Sequence, residues 1–269
     1  MNIEITTEEL KERFNPEGSL LRKHQLRMLE MLCNIDLFCK KHKIKYWLTA
    51  GTLLGAVRHG GFIPWDDDLD IDMLKDDFDK FIKLFESESI EGYKLQTNNS
   101  DSNYFAPYAK LRDTKSLIKE TTSNDLHYKY RGIYIDVFPL EPSFLCLSRL
   151  SGALQYRFLH KTALIKNNVL RIVLSKIIHT VLYKMIFPLM RIVSKLSNRN
   201  IINYSYGSGF IYPKNINAIL PLSTVYFEGH KFPAPKNVDE FLKAHYGNYM
   251  QLPNLDNIHS HTTKIEFFA

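Results

Sequence analysis

The sequence predicts an α+β fold, in which a mixed sheet is flanked by helices and joined by a basic, largely helical insertion or lobe. Three observations predict it. Asp68–Met73 and Ile133–Phe138 alternate polar and apolar residues with the two-residue period of half-buried strands. Leu20–His42 and Asp76–Phe85 instead follow the helical period. Finally, no Asp or Glu occurs between Glu141 and Glu228, whereas Lys and Arg recur throughout: Arg149, Arg157, Lys161, Lys166, Arg171, Lys176, Lys184, Arg191, Lys195, Arg199 and Lys214.

Taken in order, Thr6–Phe14 has helix-forming composition. Leu20–His42 is a long scaffold helix with cations at its C-terminal end, where the helix dipole favours them. Ile44–Ala50 reads as a buried strand. Gly51-Thr52 opens a helix that Gly60-Gly61 closes, and Phe62–Trp65 is a connector. Asp68–Met73 is a strand and Asp76–Phe85 an amphipathic helix with an acidic first turn. Tyr93–Thr97, Tyr104–Leu111, Ser116–Lys119 and Ile133–Phe138 are further strands. Phe144–Leu196 is helical, with Pro188 expected to break or kink it. Asn203–Tyr212 is loop-like, Val225–Phe232 a hairpin, and Val238–Tyr246 a short helix closed by Gly247. The domain reading is a catalytic core over 1–143, a basic helical region over 144–200, and a C-terminal segment over 201–269 that completes the core or an acceptor site.

At 269 residues, 45% apolar and 13% aromatic, the chain can bury a full core, and nothing in it reads as disordered. Cys33, Cys39 and Cys146 have neither CxxC nor zinc spacing, which suits a reducing compartment. The N-terminal residues are polar and charged, so no signal peptide is expected, and the expected location is cytoplasmic. Uncharged runs in the basic half fall short of the roughly 20 residues of a membrane span, so no transmembrane helix is expected. Apolar residues interleaved with cations there suit a helix lying on an anionic membrane surface, peripheral on the inner face of the plasma membrane. A basic lobe packed on the core or facing a polyanion fits the same composition. No nucleic-acid motif is visible.

The chemistry concentrates in Tyr46–Met73. Eight of the 29 acidic residues lie between Asp66 and Asp79. Crowded carboxylates repel and call for solvent or a cation. Residues two apart on a strand point the same way, about 6.5–7 Å apart, so Asp-x-Asp can converge on a hard cation. A glycine where a strand turns into a helix lets backbone N–H groups approach a phosphate, which makes Gly51-Thr52 a candidate phosphate turn. It is not a Walker A loop, because no Gly-Lys-Ser/Thr follows. A calcium loop fails as well: starting at Asp66 puts Ile71 at the glycine position, and starting at Asp68 puts Met73 there. Asp76, Asp77 and Asp79 read as a solvated helix start. Asp136, on a later alternating strand, is a candidate third carboxylate or simply a hydrogen-bonded strand residue.

The stretch YWLTAGTLLGAVRHGGFIPWDDDLDIDM resembles the signature of the LicD family, which includes the fukutin-related proteins and belongs to the polymerase-beta-type nucleotidyltransferase superfamily. YAKLRDTKS, GIYIDVFPL and EGHKFPAPKNVDEFLKAHYGNYMQLP also resemble family segments. The resemblance implies a nucleotidyltransferase-type sheet. It implies transfer of a phosphoalcohol, typically phosphocholine from CDP-choline, to a hydroxyl of a surface glycan or its lipid-linked precursor. It further implies Mg²⁺ (or Mn²⁺) held by Asp68, Asp70 and Asp136. The Asp-x-Asp pattern also fits two residues later, at Asp70 and Asp72, but the spacing from Pro64-Trp65-Asp66 favours Asp68 and Asp70. Asp66 and Asp72 are candidate outer ligands, and Gly51, Thr52, Arg58, Lys110 and Arg112 are candidate substrate contacts. Two other readings stay open: a metal-dependent glycosyltransferase, which also uses Asp-x-Asp, and a glycan- or membrane-binding protein without activity.

Overall fold

The computed structural model describes residues 5–120, 123–162, 164–196, 200–258 and 262–268. Arg199 of the acid-free stretch lies outside them.

Two helices lead in. α1 (Thr7–Phe14) starts in a capping box, with Thr6 and Glu9 satisfying each other's backbone N–H groups. α2 (Leu20–His42) has the bounds the periodicity predicts. Ser19 caps it, and Lys43 ends it in the left-handed region, at φ 53°. Its inner face buries Met28, Met31, Leu32, Ile35 and Phe38, each contributing about 1.5–3 kcal/mol on burial.

The chain then runs β1 (Trp47–Leu48), α3 (Ala50–His59), β2 (Asp70–Leu74), α4 (Lys75–Ser87), β3 (Tyr93–Gln96), β4 (Ala109–Asp113), β5 (Ser116–Glu120) and β6 (Tyr134–Pro142). The main sheet is mixed, in the order β1-β2-β6-β4-β3. Among the described strands only β2 and β6 pair in parallel, and later strands extend the sheet from β6. This is the α+β arrangement the sequence predicts. Several strands are shorter than expected. The strand expected at Ile44–Ala50 pairs only over two residues, and the one expected from Tyr104 begins at Ala109. The strand expected from Asp68 begins at Asp70, because the ladder with β6 begins at the Asp70–Asp136 pair.

The lobe comprises α5 (Leu145–Gln155) and a long helix made of α6 (Asn168–Val181), a π-helical segment (Leu182–Ile186) and α7 (Phe187–Ser194). Pro188 does not break it. The π segment ends just before the proline, so the missing N–H falls where the hydrogen-bond ladder has already changed register. Val169–Ser194, 26 residues with an 18-residue window of mean hydropathy 1.5, is long and apolar enough to cross a membrane by length and composition alone. Its uncharged runs are short because four cations, Arg171, Lys176, Lys184 and Arg191, are spread along it. One face is tied to the protein. Leu182, Phe187 and Met190 pack with Leu159 and Tyr206 in a small second core, and Arg191 pairs with Glu141 of β6 at 2.7 and 3.0 Å.

After the lobe come β7 (Ile201–Tyr204), β8 (Lys214–Asn215) and α8 (Ile216–Ile219). Then follow β9 (Ser223–Phe227), β10 (His230–Ala234), α9 (Val238–Tyr246) and β11 (Thr262–Phe267). β7 joins the main sheet beside β6, so part of the expected loop at Asn203–Tyr212 is strand. β9 and β10 form the expected hairpin, turning on Glu228 (φ 49°) and Gly229 (φ 77°). Glu228 reaches back to accept from Phe62 N–H (3.1 Å) and Arg22 (2.7 Å), fastening the hairpin to the Gly60-Gly61 turn.

Candidate active site

Strand register assembles the charged groups. Asp70 pairs with Asp136 across β2–β6, and Asp136 with Lys110 across β6–β4. Paired residues on neighbouring strands share a face, so Asp70, Asp136 and Lys110 form one row. Lys110 Nζ lies 3.0 Å from Asp136 Oδ1 and donates to Oδ2 at 3.1 Å, and it sits 3.3 Å above the Tyr134 ring. Asp136 Oδ1 is buried and accepts no hydrogen bond.

Asp66 and Asp68 stand on the segment before β2 and, with Asp70, line a cavity of about 450 Å³. Its other walls are the first turn of α3 (Ala50, Gly51), Arg58, Trp65 and the C-terminal residues Tyr246 and Tyr249. Ala50 adopts φ 46°, a strained conformation for a residue with a Cβ. Gly51 is required by close approach: a Cβ there would lie 2.7 Å from Asp66 Oδ2. Thr52 is buried and turned inward, its Oγ1 accepting from the Asp70 N–H at 2.8 Å. It therefore pins the start of β2 to α3.

Arg58 lines the cavity but ties down its rim, donating from Nη1 to the carbonyls of Tyr249 (3.1 Å) and Gln251 (3.3 Å). Arg112 lies elsewhere. It is fully buried, bound to Gln96, Gly132 O and Glu120, and outside this cavity's walls. Asp72 is buried in a pair with Lys214 at 2.7 Å. The sequence offered no sign of that partner 142 residues away. Nor did it single out Trp65, Tyr246 and Tyr249 as cavity walls; the aromatic-turn-aromatic run Tyr246-Gly247-Asn248-Tyr249 was the available signal.

The carboxylates crowd one another, and Lys110 offsets only part of their repulsion. Burial, and then Asp68 and Asp136, push the Asp70 pKa well above the usual range. Burial and the neighbouring Asp68 do the same to Asp66. Asp136 is raised to about 6 by burial, against the pull of Lys110. Among the described residues no three His, Cys, Asp or Glu side chains are grouped to hold an ion by themselves. The donor set nevertheless fits Mg²⁺, which takes one or two carboxylates and completes its shell with phosphate oxygens and water. A divalent cation would also relieve the repulsion that raises these pKa values.

The model of the family described as LicD/FKTN/FKRP, nucleotidyltransferase domain, matches residues 43–150, the span that holds the row and Asp66–Asp70. Across 252 residues the chain is 29% identical to the lipopolysaccharide cholinephosphotransferase LicD of Haemophilus influenzae, covering 87% of this chain and 92% of that protein. The chain carries a LicD-family domain. Its likeness to the human ribitol 5-phosphate transferase FKRP is higher but local, 53% over 34 residues, which is 13% of this chain and 7% of that protein. An uncharacterised protein of Rickettsia typhi is 40% identical over 76 residues, 28% of this chain and 25% of that one. Within residues 43–150, α3, β2, β4, β6 and the segment before β2 supply the carboxylates and cations of the row and the cavity floor. The aromatic wall at Tyr246 and Tyr249 comes from outside that span.

Proposed function

We propose that the protein transfers a phosphoalcohol, phosphocholine above all, from a CDP-activated donor to a hydroxyl of a cell-surface glycan or its lipid-linked precursor. The observation that carries this reading is the cavity in which Asp66, Asp68 and Asp70 face the first turn of α3, inside a LicD-family domain. Whole-length likeness to a cholinephosphotransferase supports choline as the alcohol. The donor's pyrophosphate would lie against the N-terminus of α3, with its cytosine between Trp65 and Tyr246. Asp68 and Asp70, with Asp136 as third carboxylate, would hold Mg²⁺ or Mn²⁺, which supplies charge neutralisation at the phosphoryl oxygens. In the reaction an acceptor hydroxyl oxygen bonds to the phosphorus that bears the alcohol. The bond from that phosphorus to the bridging oxygen breaks, and CMP leaves with the electron pair. The hydroxyl proton passes to a carboxylate of the row.

The lobe is read as a contact with an anionic membrane on the cytoplasmic side. Val169, Val173, Ile177, Val181, Met185, Leu189 and Ile192 are exposed at intervals of three or four residues along one helix. A helix fastened to the core along its other side suits the interface better than a span surrounded by lipid. The absence of acidic residues from Glu141 to Glu228 suits anionic headgroups.

The test of the catalytic reading is CMP release from CDP-choline by the purified protein, with CDP-ribitol and CDP-glycerol as competing donors, with and without EDTA. No CMP release from any CDP-alcohol in the presence of Mg²⁺ or Mn²⁺ and a glycan acceptor refutes it.

A further inference from the structure

A second cavity, of about 350 Å³, adjoins the row from its other end. It shares no lining residue with the cavity at Asp66–Asp70. Its volume lies within the ~300–1,000 Å³ of small-molecule sites. Lys110 is in its wall, so the ion pair with Asp136 stands between the two cavities. Among its other walls are Tyr104, Tyr108 and Tyr128 from the core and Arg171, Ile172 and Ser175 from α6.

The chemistry of the wall selects among occupants. Three tyrosines meet nearly at right angles, Tyr104–Tyr108 at 6.2 Å and 89° and Tyr104–Tyr128 at 5.6 Å and 69°, which forms an aromatic corner. Such a corner accepts either a quaternary ammonium or the C–H face of a sugar. Lys110 and Arg171 place two cations in the wall, which disfavours an ammonium. Glu120, the wall's carboxylate, is engaged with Arg112 at 3.2 Å. The Tyr104 hydroxyl is buried and makes no hydrogen bond. A buried unpaired hydroxyl is costly unless a ligand satisfies it, and neither an ammonium nor a lipid chain offers an acceptor. A sugar hydroxyl offers both an acceptor and a donor.

We infer that this cavity is the acceptor site and takes a sugar residue of the glycan, stacked on Tyr108 and Tyr128, with one hydroxyl satisfying Tyr104 and another presented toward Lys110 and Asp136. The inference rests on the transferase reading above. It also gives the lobe a purpose in the reaction. α6 carries the exposed stripe at Val169, Val173 and Ile177 and, a residue or two away, the wall residues Arg171, Ile172 and Ser175. The helix that touches a membrane would thus deliver a lipid-carried glycan to the cavity it helps to form.

Steady-state kinetics on the full chain test this, using CDP-choline and a panel of soluble mono- and oligosaccharide acceptors, with Tyr104→Phe and Tyr128→Ala as variants. Tyr104→Phe removes only an unpaired buried hydroxyl, so its fold is secure if Tyr128→Ala unfolds. The expected result is an acceptor KM raised about tenfold by Tyr128→Ala and about threefold or more by Tyr104→Phe, with the CDP-choline KM changed less than about twofold. Saturation-transfer NMR with the same saccharides and no donor should show binding to the wild type that both variants weaken. Variants that raise the donor KM and spare the acceptor KM would make the cavity a donor-headgroup site and overturn the inference. So would variants that change neither KM. A wild type that turns over no CDP-alcohol fails the transferase reading instead, and saccharide binding measured by NMR then still decides whether the cavity takes sugars.

Discussion

Lys110 and Asp136 face each other across the antiparallel β4–β6 pair, and their side chains meet at 3.0 Å inside the protein. Asp70 stands on the other side of Asp136, so a single cation is shared by a crowded carboxylate row. That imbalance is what an arriving metal–diphosphate would correct, and it makes the site costly to the empty fold.

Substituting Asp70→Asn should therefore separate activity from stability. Turnover is expected to fall at least ~100-fold, because a carboxylate proposed to hold the metal is lost. The unfolding midpoint should stay level or rise, by about 1 kcal/mol, since a carboxylate whose charged form is disfavoured has gone. Denaturant titration beside a CMP-release assay checks both, and a destabilised Asp70→Asn would count against the electrostatic account.

The buried Lys214–Asp72 pair should behave in the opposite way. Lys214→Met strands a fully buried carboxylate, and a loss of about 3–5 kcal/mol is expected. The double variant Asp72→Asn/Lys214→Met should recover a large part of it. A double-mutant cycle in urea measures the coupling.

Gly51→Ala tests the close approach at α3. Its Cβ would lie 2.7 Å from Asp66 Oδ2, so that carboxylate must move away from the cavity floor. The expected outcome is a raised KM for the CDP-alcohol, of about fivefold or more, with little change in melting temperature. An unchanged KM would show that Asp66 and the α3 turn do not contact the donor.

Acid should destabilise the fold through His24. Burial lowers its pKa to about 4, from 6.5, and its Nδ1 makes no hydrogen bond. The unfolded chain takes up a proton below about pH 6.5 while the folded one does not, so stability falls as pH drops from about 6.5 to about 4. The loss for a shift of this size is about 3 kcal/mol. His24→Gln should flatten that part of the pH–stability curve, measured by urea unfolding at successive pH values.

Membrane contact should depend on the exposed stripe. Ile177→Asp with Met185→Asp places two charges on the apolar side of the lobe helix, where both residues are more than half exposed (56% and 60%). Co-sedimentation with phosphatidylglycerol vesicles at low salt should fall about tenfold or more, with the melting temperature retained. Equal binding by wild type and variant would remove the lobe from the membrane.

Local patterns carried much of this protein on their own. α2, the hairpin at Glu228-Gly229 and α9 ending at Gly247 came from periodicity, turn chemistry and caps, which act over a few residues. The Asp66–Asp72 cluster and the motif around it were legible for the same reason. At Pro188, expected to break or kink its helix, the helix continues, but its hydrogen-bond register changes in the π-helical segment just before the proline, which leaves no simple sequence signature.

Which of those carboxylates stand where was decided only by the tertiary structure. Asp68, Asp70 and Asp72 are equivalent in an alternating run, yet Asp72 is neutralised by Lys214 from the far end of the chain. Asp70 is brought against Asp136 by strand register, and Asp68 precedes the strand altogether. Lys110 and Arg112 looked alike as phosphate contacts, yet register sends one to Asp136 and buries the other against Gln96 and Glu120. Pairing between strands distant in sequence sets each charge's neighbours, and burial then sets its protonation. The sequence by itself determined the residue types and the fold that brings them near; the packed sheet determined which charges are satisfied and which remain for a ligand.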